Sequence, residues 1–249
     1  DPAIPAATLV VFRDAADAPP ALLMVERAAA MAFAGGATVF PGGRVDPGDR
    51  ALAAALMPDD PEDGAARVAA IRETLEEAGL AIGFAEVPDP ARVVAMRAAL
   101  AAGEAFGAVL VRAGARLAPE RLTPFARWRP DHPGIRNFDT RFYLAGLPEG
   151  AGSAVADGGE SVQLGWASAA EWLAAAARRE VELIFPTRRN LERLARFRTL
   201  AAAVKDAAAH PVRTVTPWTE VRDGVPHLCI PDDLGYPVTA EPLSGVQRS

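Results

Sequence analysis

The fold is decided by one stretch of the chain, Arg72-Glu73-Thr74-Leu75-Glu76-Glu77-Ala78-Gly79-Leu80. It completes a helix predicted over residues 65–78, because apolar residues recur there at helical spacing and Gly79 stands at the C-cap position. The apolar residues of this helix share one face and are Val68, Ile71 and Leu75. We therefore expect that face to pack on a core and the opposite face to carry polar side chains.

The opposite face of the predicted helix carries three carboxylates. Glu73, Glu76 and Glu77 are spaced i, i+3 and i+4, so their side chains lie together. One interpretation is a solvated face on which Arg72 pairs with Glu76 one turn away. The other is a divalent metal site, because clustered carboxylates repel unless a cation neutralises them, and oxygen ligands suit Mg²⁺.

A glycine loop and an acidic residue precede the helix. The loop is Phe40-Pro41-Gly42-Gly43, which ends a strand predicted over residues 38–40, and Asp49 follows Gly43 after five residues. Glycines at such a place allow the backbone to come close to a ligand. Residues 50–64 contain several Pro and Asp residues, which indicates an exposed insertion between the loop and the helix.

Together these residues resemble the Nudix box, the signature of hydrolases of nucleoside diphosphates linked to another group. The helical half, residues 72–80, matches that pattern at every fixed position. Two differences stand in the first half. Asp49 replaces the usual Glu, and 22 residues separate Asp49 from Arg72, an excess of 15 that falls on residues 50–64.

The resemblance implies an α/β fold, the Nudix α/β/α sandwich with a mixed sheet, a C-terminal helix and an extended tail. We expect one domain over residues 1–249, with the box insertion at 50–64 and a C-terminal extension from about residue 186.

The resemblance also implies the roles of the box residues. Glu73, Glu76, Glu77 and the carbonyl of Gly43 would hold Mg²⁺ or Mn²⁺, and Arg72 would orient Glu73 through its planar guanidinium. The general base would be either Glu73 or Glu160, which ends the flexible loop of residues 157–160. The residues alone leave these two candidates open.

The interrupted box resembles one branch in particular, the coenzyme A diphosphatases of the peroxisomal type and their bacterial relatives. Further pieces of the resemblance lie at residues 22–27, 33–43, 122–124, 136–142 and 232–237. This implies hydrolysis of a pyrophosphate bond in coenzyme A or acyl-coenzyme A. The candidate substrate-binding residues are Arg27, Phe33, Arg44, Arg136 and Arg141.

Two alternatives to this substrate stay open. ADP-ribose, NADH or another nucleoside diphosphate derivative is the enzymatic one. The other is a non-catalytic nucleotide-binding sensor on the same scaffold, although the complete set of carboxylates favours an enzyme.

Outside the box, hydrophobic periodicity and capping signals predict the remaining elements. Strands are expected at residues 8–13, 21–27, 141–145 and 162–166. Helices are expected at 90–101, 104–112, 167–179 and 187–200, with a capping box of Ser168 and Glu171 opening the third of these. The prolines from Pro211 onward predict an extended tail over the core.

Composition limits the partners of the chain. Its 26 basic and 32 acidic residues give a formal charge of −6, which disfavours a broad nucleic-acid surface. We expect neither a signal peptide nor a membrane span, and the single Cys229 excludes an intrachain disulfide, so the prediction is a cytoplasmic protein. The expected partner is a small nucleotide substrate. A homodimer is left open, with the arginines of the 187–200 helix favouring a solvated surface or a dimer contact.

Overall fold

The computed structural model describes residues 3–29, 34–131 and 137–245. Its strands are β1 (Ile4–Arg13), β2 (Ala21–Arg27), β3 (Thr38–Val39), β4 (Gly42–Arg44), β5 (Thr123–Trp128), β6 (Phe138–Gly146), β7 (Ser161–Ser168), β8 (Thr214–Val215), β9 (Trp218–Arg222), β10 (Val225–Cys229) and β11 (Ala240–Pro242). Its helices are α1 (Pro47–Leu56), α2 (Pro61–Ala78), α3 (Pro90–Ala101), α4 (Phe106–Ala113), α5 (Ala169–Ala177), α6 (Phe185–Leu194) and α7 (Leu200–Ala209).

Strand β1 lies inside a mixed sheet. Its Leu9, Val10 and Val11 are wholly buried, so both faces of the strand are covered. The main path of the sheet runs β3-β2-β1-β6-β5-β8, while β4 also pairs with β1 and β7 with β2. The pairs β1–β6 and β5–β8 are parallel and the others are antiparallel. This arrangement confirms the predicted mixed sheet.

Helices cover both faces of the sheet. One core joins Leu9 and Val11 of β1 to Ile71 and Leu75 of α2, and it also includes residues of α3 and α4. The other core joins the opposite face of the sheet to the later helices, where Leu191 of α6 is completely buried. Three layers result, which confirms the α/β/α sandwich. No helix of the described ranges is both long enough and apolar enough to cross a membrane.

Helix α2, which carries the carboxylates, is fixed at both ends. Asp60 caps its start by accepting from the backbone N–H of Asp63 at 3.1 Å, so the helix begins four residues before the predicted position. At its end Gly79 adopts the left-handed conformation, with φ at 66°. The predicted C-cap is therefore confirmed.

The prediction of an exposed insertion at residues 50–64 was only partly right. The outer side of this segment is exposed, but most of it is helical because Asp46 and Asp49 form a capping box at the start of α1. Ala53 is wholly buried between α1 and α2. A Cβ added at Gly64 would lie 2.9 Å from the Cβ of Met57, so the two helices pack closely there. The inner face of the insertion thus belongs to the core.

Two further predictions about the C-terminal part need correction. The single helix expected at 187–200 is two helices, because Thr199 starts α7 by accepting from the N–H of Ala202 at 3.2 Å. The arginines of this segment were expected to favour a solvated surface or a dimer contact. Arg189 and Arg193 are instead 2% exposed, and Arg193 pairs with Asp206 at 2.7 Å.

The C-terminal tail wraps over the core as predicted, with Ile230, Leu234 and Tyr236 entering the second core. Two features of this tail were not predicted from the sequence. Strand β8 joins the main sheet, and β9, β10 and β11 form a small antiparallel sheet. Strand β5 was also missed. The capping box at the start of α5 agrees with the prediction from the sequence.

A pair of charge substitutions tests the packing of the insertion. Ala53→Glu should lower the free energy of unfolding by about 3 kcal/mol, because it places an unpaired carboxylate in the core. Ala54→Glu, on the exposed side of the same helix, is the matched control and should change it little. The midpoints of urea unfolding measure both effects. Equal midpoints for the two variants would contradict the buried position of Ala53.

Candidate active site

A buried guanidinium joins the three elements of the site. The side chain of Arg72 on α2 is 9% exposed, and it bonds both oxygens of Asp49 on α1, from Nε at 3.0 Å and from Nη2 at 2.9 Å. Nη2 also donates to the carbonyl oxygen of Arg44 on β4 at 2.9 Å. Burial lowers the pKa of Arg72, but Asp49, Glu73 and Glu76 raise it by more, so the group is held charged.

The same guanidinium contacts two carboxylates of the acidic face. Nη1 of Arg72 lies 2.9 Å from Oε1 of Glu73 and 3.4 Å from the nearer oxygen of Glu76. Asp49 also accepts from the N–H of Asp46 at 2.8 Å, which fixes the carboxylate that Arg72 grips. The Asp at position 49 therefore supports Arg72 from within a capped helix.

The glycine loop lies against the acidic face. The N–H of Gly42 donates to Oε2 of Glu77 at 3.0 Å. A Cβ added at Gly43 would lie 2.3 Å from Oε1 of Glu73, and one added at Gly42 would lie 2.3 Å from the carbonyl oxygen of Ala7. A side chain at Gly43 would displace the Glu73 carboxylate, and one at Gly42 would clash with the backbone of β1, so both close approaches require glycine.

The acidic face holds more negative charge than its arginines compensate. Burial raises the pKa of Glu77 to about 8, and the charges of Glu73 and Glu160 add to this, while Gly42 and Arg27 act against it. Burial also raises the pKa of Glu73 to about 7, opposed by Arg72 and assisted by Glu76 and Glu160. A divalent cation bound here would relieve this repulsion.

Arg27 and Glu160 therefore lie within electrostatic range of the acidic face. Glu160 is exposed just before β7, and its carbonyl oxygen accepts from the N–H of Ala28 at 2.8 Å, next to Arg27 at the end of β2. Two loops distant in sequence are thus joined beside α2. The structure brings together Arg27, Gly43, Arg72, Glu73, Glu76, Glu77 and Glu160.

Of the other candidate residues, two lie away from the acidic face and two fall outside the residues that the structure describes. The side chain of Arg44 is exposed and stacks at 5.9 Å over Phe138, away from α2. Arg141 donates to Asp63 at 2.9 Å in the first turn of α2, and the ten residues from Asp63 to Glu73 span about 15 Å of helix. Phe33 and Arg136 fall outside the described residues.

Sequence reasoning missed a clamp at the end of α2. Arg97 of α3 donates to two carbonyl oxygens of the last turn, from Nε to Glu76 at 2.8 Å and from Nη2 to Glu77 at 3.1 Å. Cations stabilise helix C-termini in this way. Because the contact joins positions about 20 residues apart, no local pattern signals it.

The loop that carries Glu160 is also attached near the C-terminal end of α2. The carboxylate of Asp157 accepts from the N–H groups of Glu160 at 3.1 Å and Ser161 at 2.8 Å, and its charge also acts on Arg97. The N–H of Val155 bonds the carbonyl oxygen of Ala78 at 2.9 Å. An Asp three residues before Glu160 is a turn signal that could have been recognised.

Removing the clamp should loosen the site without unfolding the protein. Arg97→Met should speed amide hydrogen exchange at residues 155–161 and in the last turn of α2 by about tenfold, the scale of losing bonds to a charged donor. Arg92→Met is the control, because Arg92 is exposed on the same helix and pairs with Asp89. Hydrogen exchange followed by mass spectrometry compares the two. Unchanged exchange at 155–161 in the Arg97 variant would disprove the link.

A Nudix hydrolase from Alicyclobacillus acidocaldarius is 30% identical, with a TM-score of 0.72, over 82% of this chain and 96% of that one. The chain belongs to the Nudix hydrolases.

Two other Nudix structures are more distant. The MutT Nudix hydrolase of Burkholderia pseudomallei is 18% identical, with a TM-score of 0.43, over 77% of this chain and 98% of that one. The Nudix domain of NrtR from Shewanella oneidensis, solved with ADP ribose, is 12% identical, with a TM-score of 0.44, over 77% and 86%. Neither is close enough to bear on the substrate. A scan of protein-family models and a search of curated proteins gave no match.

As a Nudix hydrolase, the protein acts on phosphorus-containing anhydrides, and such enzymes generally use divalent metals such as Mg²⁺. In the described ranges, no three His, Cys, Asp or Glu side chains stand ready to hold one ion together. Mg²⁺ needs only one or two carboxylates, since waters and substrate phosphates complete its shell. The buried, mutually repelling Glu73 and Glu77 fit that requirement.

Proposed function

We propose that this Nudix hydrolase cleaves the pyrophosphate bond of coenzyme A or an acyl-coenzyme A, using Mg²⁺ or Mn²⁺. The observation that carries the hydrolytic part is the acidic face of α2, pressed against Gly42 and Gly43 and held by Arg72. The coenzyme A part rests on the sequence resemblance in the segments around Arg27 and residues 232–237. The products would be 3′,5′-ADP and a phosphopantetheine derivative.

The chemistry of the donor set supports the metal-site residues that the Nudix box implies. Glu73, Glu76 and Glu77 would hold the metal ions between them, one or two carboxylates to each ion, with the carbonyl oxygen of Gly43 as a further ligand. When bound, such an ion neutralises phosphate charge and lowers the pKa of a coordinated water. Arg72 would keep Glu73 in place. Asp49 bonds the opposite side of the Arg72 guanidinium and so prevents it from rotating away from Glu73.

We assign the general base to Glu160. Glu73 accepts a hydrogen bond from Arg72 and lies against the glycine loop. Its carboxylate therefore has little freedom to move toward a water and accept its proton. Glu160 is exposed, lies on a loop fixed by Asp157, and acts electrostatically on both Glu73 and Glu77. A carboxylate placed beside the metal ligands can take a proton from an attacking water.

Among the described residues beside the acidic face, Arg27 is the cation that we assign to the substrate phosphate. Its charge already acts on Glu77, so a phosphate bound near the acidic face would lie within its reach. Arg141 is engaged with Asp63, and we assign it a structural role.

Neutral substitutions test the catalytic assignments. Glu76→Gln and Glu77→Gln should each lower turnover at least about a hundredfold at saturating Mg²⁺, because a ligand charge is lost. Glu160→Gln should lower turnover about 10²- to 10⁴-fold and remove the acidic limb of the pH–rate profile, as expected when a base is lost. Glu149→Gln is an exposed control and should leave turnover unchanged.

Two results would contradict these assignments. Near-normal turnover in both the Glu76 and Glu77 variants would exclude the metal site. A Glu160 variant that keeps the acidic limb, combined with a Glu73→Gln variant that loses it, would move the base to Glu73.

The substrate is tested by comparing catalytic efficiencies. We expect kcat/KM to be higher for coenzyme A than for 3′-dephospho-coenzyme A, because a cation that pairs with the 3′-phosphate is left unpaired by the analogue. The panel should include NADH, ADP-ribose and nucleotide sugars, with products identified by mass spectrometry. Equal efficiency with and without the 3′-phosphate, or preference for ADP-ribose or NADH, would leave a Nudix hydrolase of another substrate.

A further inference from the structure

Strand β9 lies at the edge of the small C-terminal sheet, whose order is β11-β10-β9. All five residues of β9 are exposed, including Trp218 at 44% and Val221 at 66%. Within the described ranges no strand pairs with its outer side. An edge of this kind is a ready template for another strand, and proteins usually cover or interrupt it.

The pairing of β9 with β10 shows which backbone groups face outward. Val221 is opposite Pro226, which has no N–H, so these two residues cannot form the pair that exchanges both hydrogen bonds. The N–H and C=O of Val221 must therefore point away from β10, toward the open edge. Because strands repeat every two residues, those of Thr219 point the same way.

We propose that β9 of a second copy of this chain pairs antiparallel with this edge, about a twofold axis at Val221. The two Val221 residues would then face each other and exchange their outward hydrogen bonds. Glu220 of each copy would lie opposite Arg222 of the other. The interface would be isologous, the commonest symmetry of homodimers.

The charges of β9 favour this partner, and they favour this register over the two neighbouring ones. The sequence Glu220-Val221-Arg222 is its own complement when a copy runs in the opposite direction. Glu220 and Arg222 would form non-hydrogen-bonded pairs, in which Cα atoms lie about 4.5 Å apart and side chains are closest. An axis at Glu220 or at Arg222 would place like charges directly opposite, which destabilises a sheet.

The exposed side chains agree with a second copy as the occupant. Val221 is the most exposed large apolar residue of the hairpin, and the proposed axis covers it with its own counterpart. The Glu220–Arg222 contact within one chain, 3.2 Å between exposed groups, would be extended into a square of four alternating charges. A pair of short strands buries far less than the roughly 1,600 Å² of a standard interface, so we expect a dimer that dissociates on dilution.

A cysteine placed on the axis tests the register. Val221→Cys should form a covalent dimer under mild oxidation, because hydrogen-bonded antiparallel partners have Cα atoms about 5.5 Å apart, within disulfide range. The native Cys229 is buried, so the parent protein should not crosslink. Thr219→Cys is the matched control, since in this register it faces Asp223 of the second copy. Equal crosslinking by the two variants, or none by Val221→Cys, would overturn the proposal.

Charge reversal tests the pairing without a crosslink. Sedimentation velocity at increasing concentration should show dimer formation by the parent protein. Glu220→Arg should weaken it at least about tenfold, and adding Arg222→Glu should restore it, because Arg-Val-Glu is again its own complement. A parent protein that is monomeric at millimolar concentration, or a double variant as weak as the single one, would overturn the proposal. Turnover should be unaffected, which separates this test from that of the catalytic site.

Discussion

The buried guanidinium of Arg72 is the interaction on which the site depends. Its donors reach Asp49 on α1, a carbonyl oxygen on β4 and Glu73 on α2, so one side chain fixes the relative positions of all three elements. A lysine could not do this, because the contacts need a planar group with several donors at fixed angles. The excess chain between the two halves of the box is accommodated because α1 presents Asp49 to this same guanidinium.

Around that anchor, the protein buries carboxylates that also repel one another. Glu77 is 3% exposed and Glu73 is pressed against Gly43, and this burial, together with repulsion from neighbouring carboxylates, raises the pKa of both carboxyls. The last turn of α2, which carries Glu76 and Glu77, is held by Arg97, and the charge of Asp157 beside Glu160 acts on Arg97. The burial of these carboxylates lowers local stability, and the divalent ion that we propose there would offset that cost.

Much of this was predictable where the signal is local. The spacing of Val68, Ile71 and Leu75 predicted α2, and the Ser168 capping box predicted α5, because both patterns lie within a few residues. The break between α6 and α7 at Thr199 was missed, since the apolar spacing continues through it. The role of Arg97 was missed because its partners are distant in sequence, and the Asp-Gly turn between β9 and β10 was not recognised among the prolines.

The central claim is that the acidic face of α2 is a divalent metal site. Electron paramagnetic resonance of free Mn²⁺ tests it directly, by titrating the ion into the substrate-free protein at neutral pH. We predict saturable binding by the parent protein that is lost in Glu73→Gln/Glu77→Gln and kept in Glu149→Gln. Binding that is absent from the parent, or unchanged in the double variant while its fold stays intact by circular dichroism, would contradict the account.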